Sequence, residues 1–182
     1  DTTCPLVRKA HTALAQLVAA GYPPVIIGQA SHVEVRGLAG DFPQAEILLH
    51  VGEISSLRCH PKIGIVSQTT QPITKVHELV RCIRERFPES EVVFRDTVCQ
   101  PTKDRQAAME KLCRENDVVI VVGGKHSNNT RQLVLTAQAL GVRAQQVEQA
   151  ADLQPEWFHQ ADRVGLTAGT STLEETVAEV QA

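Results

Sequence analysis

Apolar residues along this chain recur in two rhythms, one of helical period and one of short unbroken runs. Leu6, Ala10, Leu14 and Leu17 fall on one helical stripe that stops at Gly21-Tyr22-Pro23-Pro24. Val25 to Ile27 follows as an apolar run ending on a glycine, as a strand buried on both faces does. Residues 47–49 and 63–67 read as further strands. Ile73, Val76, Val80, Ile83 and Phe87 form a second helical stripe, closed by Pro88. The order then returns: strand 91–94, helix 102–115, strand 118–122, helix 129–140, strands 142–147 and 163–167. A last helix carries Leu173, Val177 and Val180. Strands alternating with helices predict an α/β protein whose parallel sheets are covered by helices.

The alternation is also a repeat. Asp1-Thr2-Thr3-Cys4 matches Asp96-Thr97-Val98-Cys99, 95 positions later, and the register holds without a gap to Gly28 and Gly123. Ala13 and Leu17 meet Ala108 and Leu112 in that register, and Val25-Ile26-Ile27 meets Ile120-Val121-Val122. Further on, Gly64 to Thr70 resembles Gly165 to Thr172 at an offset of 101. The expectation is two repeated α/β lobes, 1–95 and 96–182. A cysteine at the same place in each lobe, Cys4 and Cys99, suggests one metal site shared between lobes.

Composition narrows the partners. A net charge of −3 with no Lys/Arg block argues against nucleic acid and anionic membranes. Aromatic residues, at 3%, are too few for base stacking. No run approaches the 18 or so apolar residues of a membrane span. The sequence opens at Asp1 rather than Met and shows no signal peptide, so a fragment or processed product is expected. Five cysteines, an odd number without scaffold spacing, point to reduced thiols in a cytosol or organelle matrix.

In parallel α/β lobes ligands gather beyond the carboxyl ends of the strands. The segments there are Gly28 to Glu34, Ser67 to Thr70, Gly123 to Asn129 and Thr167 to Ser171, all rich in small hydrogen-bonding groups. Cys4 and Cys99 each open a helix, where the thiolate that binds metal is favoured. Two thiolates do not close a metal site, which usually needs three or four donors. Cys82 and Cys113 sit in helical stripes and read as core, while Cys59-His60 is an isolated loop pair. His32 and Glu34 would face one side of an extended segment, suited to anion binding and proton delivery. The plainer alternative is a polar surface loop. Ser127 suits a helix N-cap and equally a phosphate cradle with Asn128 and Asn129. Thr69 and Ser171 add hydroxyl donors. Neither a P-loop nor a G-x-G-x-x-G fingerprint is present.

These residues, in this order, resemble the 4-hydroxy-3-methylbut-2-enyl diphosphate reductases of the non-mevalonate isoprenoid pathway. The matching stretches are Asp1-Thr2-Thr3-Cys4-Pro5-Leu6-Val7 with His11, His32-Val33-Glu34-Val35 with Gly37, and Gln68-Thr69-Thr70. Arg105-Gln106, Val121-Val122-Gly123, Ser127 with Asn129, and Thr167-Ala168-Gly169 with Ser171 continue the match almost to the end. Gln29 departs from a common histidine, and Gln100-Pro101 from a frequent Tyr-Ala. The resemblance implies three lobes around a pseudo-threefold axis, each giving one cysteine to a 4Fe–4S cluster. Cys4 and Cys99 would be two of those ligands, and the third would belong to an N-terminal lobe outside this chain. It further implies that His32 helps bind substrate, Glu34 delivers protons and Thr69 lies beside the substrate. Ser127, Asn128, Asn129 and Ser171 would then bind the substrate's diphosphate. The implied reaction is reductive dehydroxylation of the allylic diphosphate to isopentenyl and dimethylallyl diphosphates, in a bacterial cytoplasm, with a ferredoxin or flavodoxin as electron donor. Two other readings remain open: another three-lobed iron–sulfur enzyme such as a quinolinate synthase-like protein, and a non-catalytic phosphate-ligand module.

Overall fold

The computed structural model describes residues 4–169 and 171–182, with Asn128 described through its backbone. The chain divides into two compact units, Asp1–Asp104 and Arg105–Ala182. The repeat's opening residues 1–3 and Thr170 lie outside the described residues.

In the first unit, α1 (Pro5–Ala19) starts on Pro5, whose fixed φ is pre-set for a first helical turn. It buries Ala10, Leu14 and Leu17 on one face. Gly21, at φ +80°, supplies the left-handed residue that turns the chain towards β1. Then follow β1 (Pro24–Ile27), α2 (Val33–Asp41), β2 (Glu46–Leu48), β3 (Lys62–Ser67), α3 (Ile73–Arg86) and β4 (Glu91–Phe94). All strand pairs are parallel, in the order β2-β1-β3-β4.

Strand periodicity divides the apolar side chains between two layers. Val25, Ile27, Ile63 and Ile65 join Val76, Leu79, Val80 and Ile83 of α3. Ile26 and Val66 point the other way, to Leu14 and Leu17 of α1 and Val35 and Leu38 of α2. Each such fully buried aliphatic side chain contributes about 1.5–3 kcal/mol. Gly64 of β3 lets α1 come close: a Cβ there would lie 2.8 Å from the Tyr22 Cβ and 3.1 Å from the Leu17 Cβ.

The helix α4 (Gln100–Glu115) spans the division between the units. The second unit continues with β5 (Val118–Val122), α5 (Asn128–Ala139), β6 (Arg143–Val147), β7 (Val164–Ala168) and α6 (Glu174–Gln181). Its sheet is parallel in the order β6-β5-β7. Val119 and Val121 pack with Met109, Cys113 and Ala137 of α4 and α5, while Val118, Ile120 and Val122 pack with Val147 and Val180. Among the described residues no helix is long and apolar enough to cross a membrane.

The repeat is visible in the hydrogen bonds. The Gly28 N–H donates to the Leu48 carbonyl at 2.9 Å, and the Gly123 N–H donates to the Val147 carbonyl at 2.8 Å. The Gln68 N–H donates to the Ile27 carbonyl and the Gly169 N–H to the Val122 carbonyl, both at 2.8 Å. Thus β1, β2 and β3 correspond to β5, β6 and β7.

The segment after β4 is bonded to the end of β3, within the compact unit that runs to Asp104. Thr97 Oγ1 accepts from the Ser67 N–H at 2.8 Å and donates to the Ser67 carbonyl at 2.6 Å. One expectation changes: His32-Val33-Glu34 is not extended but turns into α2. That helix buries only Glu34, Val35 and Leu38 and contains Gly37 and Gly40, so its apolar stripe is too sparse to read from sequence.

Gly64→Ala is expected to destabilise the first unit by about 1–3 kcal/mol, because α1 must move to admit the methyl group. Urea unfolding of the variant against the parent checks this.

Candidate functional site

The polar groups of the first unit converge beyond the carboxyl ends of β1 and β3. His32 caps α2, its Nδ1 accepting the Glu34 N–H at 3.2 Å. With Nδ1 as acceptor, the neutral ring carries its proton on Nε2. One residue into the helix, Glu34 turns inward and is only 7% exposed. A carboxylate so buried needs donors, and Thr69 supplies two. Its N–H donates to Glu34 Oε1 at 2.8 Å and its hydroxyl to Oε2 at 2.9 Å.

Thr69 is held from the other side as well, since its carbonyl accepts the Cys99 N–H at 2.9 Å. A carboxylate, a hydroxyl-bearing residue and a thiol-bearing residue therefore form one hydrogen-bonded series inside the first unit. Cys99 is half-buried, with its Sγ 3.0 Å from Thr102 Oγ1. Gln68 braces the neighbouring turn: its Oε1 accepts from the Gln29 N–H and the Gln71 amide, and its amide donates to Thr70 Oγ1 at 2.8 Å. Cys4 heads α1, exposed and without a side-chain capping bond.

In the second unit Ser127 caps α5, its Oγ accepting the Thr130 N–H at 3.3 Å. Thr130 is fully buried against Gly123 and Gly169; a Cβ on either glycine would run into its hydroxyl. That contact ties the loops after β5 and β7 to α5. Gln146 donates to the carbonyls of Gly123 and Gly124 at 3.1 and 2.7 Å. Glu148 accepts the Lys125 N–H at 2.7 Å and lies 3.3 Å from the Lys125 ammonium. The amide bond first, and the side-chain bond after it, hold the Glu148 carboxyl below the usual glutamate value of 4.5. Asn129 is exposed and lines a cavity of about 290 Å³ with Arg105, Met109, Leu112 and Leu133. Ser171 is exposed just beyond β7, and the Asn128 side chain lies outside the described residues.

The structure thus joins Glu34, His32, Thr69 and Cys99 through hydrogen bonds in one unit and sets Ser127 and Asn129 on the first turn of α5 in the other. All five cysteines are free. Cys113 is buried, which pushes its thiol pKa up. Cys82 packs partly buried against the core, and Cys59 is exposed. No group of three or more His, Cys, Asp or Glu gathers to hold a metal among the described residues. Sequence reasoning missed Thr97, Thr102 and Thr130. Thr97 carried a signal, since Thr2 and Thr97 coincide in the repeat; the other two are recognisable only from what surrounds them.

Fold and site together define a repeated parallel α/β protein that gathers hydroxyl, carboxyl and thiol groups beyond its strand ends. Comparison with known proteins assigns the family. The LytB protein family model matches residues 1–182, and the chain belongs to that family. It is 38% identical over 183 residues to the 4-hydroxy-3-methylbut-2-enyl diphosphate reductase of Methylibium petroleiphilum, covering 99% of this chain and 56% of that protein. The Aquifex aeolicus reductase of the same name is 38% identical over 188 residues, covering 100% and 63% respectively. The chain therefore spans somewhat over half the length of these relatives.

The solved structure of the E-1-hydroxy-2-methyl-but-2-enyl-4-diphosphate reductase from Plasmodium falciparum superposes with a TM-score of 0.80 at 30% identity. That match covers 97% of this chain and 56% of the other. A solved (E)-4-hydroxy-3-methyl-but-2-enyl diphosphate reductase, described as the terminal enzyme of the non-mevalonate pathway, matches at 0.63 and 37% identity, covering 98% and 64%.

Glu34→Ala is expected to cost about 1–3 kcal/mol, since it strands two buried donors of Thr69, and Glu34→Gln less, because the amide oxygen still accepts one of them. Denaturant midpoints compare the two. At Glu148 the folded pKa lies below the unfolded one, so its bond to Lys125 contributes above pH about 4.5 and is lost as pH falls through the lower folded value. The Lys125 amide, corrected for intrinsic exchange, should lose hydrogen-exchange protection on acidification, and at neutral pH in Glu148→Ala.

Proposed function

We propose that this chain carries two lobes of a 4-hydroxy-3-methylbut-2-enyl diphosphate reductase. The reaction replaces the allylic C–OH by C–H, consumes two electrons and two protons, and releases water with isopentenyl and dimethylallyl diphosphates. The observation that carries this reading is the hydrogen-bonded series Glu34–Thr69–Cys99, in which a buried carboxyl is tied through one residue to a thiol.

Cys4 and Cys99 fit an iron–sulfur centre as two of its thiolate donors. Both are free, both stand at the amino end of a helix, and the Cys99 sulfur already meets a hydroxyl at 3.0 Å. When bound, a 4Fe–4S cluster would supply the electrons, received from a ferredoxin- or flavodoxin-type donor; its third thiolate would come from a further lobe. The remaining work falls to protein groups. When Glu34 takes up a proton on Oε2, its bond with Thr69 reverses: Oε2–H donates to Thr69 Oγ1, and Thr69 passes its own hydroxyl hydrogen to the departing hydroxyl. The Oε1 bond from the Thr69 amide keeps that carboxyl in place while its charge changes. His32 offers Nε2–H to the substrate, because its Nδ1 is occupied by the Glu34 amide. Ser127, whose oxygen accepts at the cap, keeps its own hydrogen for a diphosphate oxygen. Asn128, Asn129 and Ser171 add donors, and the amino end of α5 favours the anion. The setting proposed is a bacterial cytoplasm.

The test is anaerobic reconstitution of the protein with all three lobes, followed by iron and sulfide counts, visible absorption and turnover of the allylic diphosphate. Cys4→Ser and Cys99→Ser should each lose most of the iron and colour. Glu34→Gln should keep the cluster yet lower kcat by about 10²–10⁴-fold, the range for a lost proton donor. A three-lobed protein that stays colourless, or a Glu34→Gln variant with undiminished kcat, overturns the reading.

A further inference from the structure

Cys99 is positioned more firmly than its place at a helix terminus requires. Its N–H donates to the Thr69 carbonyl at 2.9 Å, and its carbonyl accepts from the N–H groups of Thr102 and Lys103 at 3.0 and 3.1 Å. Ahead of it, Thr97 is bonded to both backbone groups of Ser67. Asp96 accepts the Val98 N–H at 3.1 Å and the Lys103 ammonium at 2.6 Å. The sulfur therefore has a fixed origin and a fixed first turn beside it.

A side chain at the cap of a helix ordinarily accepts the N–H two or three residues further on. Here the residue two further on is Pro101, which has no N–H, and the N–H of Thr102 is already spent on the Cys99 carbonyl. What meets the sulfur instead is the Thr102 hydroxyl, 3.0 Å away. Threonines within a helix usually return their hydroxyl to the carbonyl four residues back. Thr12 does so to Arg8 and Thr136 to Gln132, at 3.0 and 2.8 Å. Thr102 lies in the first turn of α4, and its hydroxyl goes to Cys99 instead. Once the thiol is deprotonated it has no hydrogen to give, so in this pair the hydroxyl is the donor.

We propose that the Thr102 hydroxyl donates to the Cys99 thiolate and so raises the reduction potential of the iron–sulfur centre that this thiolate holds. The inference rests on the reading of Cys99 as a cluster ligand. A hydrogen bond to a ligating sulfur draws electron density from it, and the centre accepts an electron more readily. The couple concerned is one-electron reduction of the cluster by an external reductant; no bond of the protein is made or broken. Thr102 acts through Cys99 and is a positioning residue, not one that touches substrate.

The experiment is a potentiometric titration of the cluster-loaded, three-lobed protein with dithionite, followed by electron paramagnetic resonance, for the parent, Thr102→Val and Thr102→Ser, with iron counts on these and on Cys99→Ser. The expected result is unchanged iron in both Thr102 variants, a midpoint shifted to more negative potential in Thr102→Val, and recovery of the parent midpoint in Thr102→Ser. A Thr102→Val midpoint equal to the parent's, with iron lost from Cys99→Ser, overturns the inference and leaves the ligand reading standing. Full iron in Cys99→Ser overturns the ligand reading itself, and the inference with it.

Discussion

Thr69 is bonded through its N–H, its carbonyl and its side chain, and the first unit's chemistry is arranged around it. Its amide and hydroxyl both donate to the Glu34 carboxyl, a buried polar group that would otherwise lack partners. Its carbonyl fixes Cys99. The residue can serve both because β3 ends at Ser67, so the chain leaves the sheet with its polar backbone groups unspent. A parallel sheet buried on both faces offers such groups only at its ends.

The second unit uses the same scaffold with different chemistry. In the register of the repeat, His32 corresponds to Ser127, Glu34 to Asn129 and Val35 to Thr130. His32 and Ser127 both cap the helix that follows the central strand. Val35 lies close against Gly28 in one unit and Thr130 against Gly123 in the other, so each pair leaves room for nothing larger than glycine. Duplication thus conserved a geometry of close approach at the strand end. The side chain one position earlier was left to diverge, a buried carboxylate in the first unit and an amide in the second.

Much of the architecture was open to reading because it follows from periodicity. Leu14 and Leu17, Val76, Val80 and Ile83, and the runs 25–27 and 118–122 are buried where their spacing implies, and a short apolar run has few other places to go. The candidate residues His32, Glu34, Thr69, Ser127 and Asn129 were also accessible, since they follow strand ends. The helix α2 was not, because two glycines and a single buried turn leave little amphipathic signal. Nor was the bond by which Thr97 reaches back 30 residues to Ser67.

By itself the sequence determined the alternation of strand and helix, the duplication, and the small polar groups that follow each strand, all of which are local or periodic properties. Tertiary structure alone decided that Glu34 is buried, that Thr69 is its partner, and that the Cys99 amide meets the Thr69 carbonyl. The reason is physical: a hydrogen bond between residues far apart in the chain depends on distances and rotamers, and these exist only once the sheets have packed.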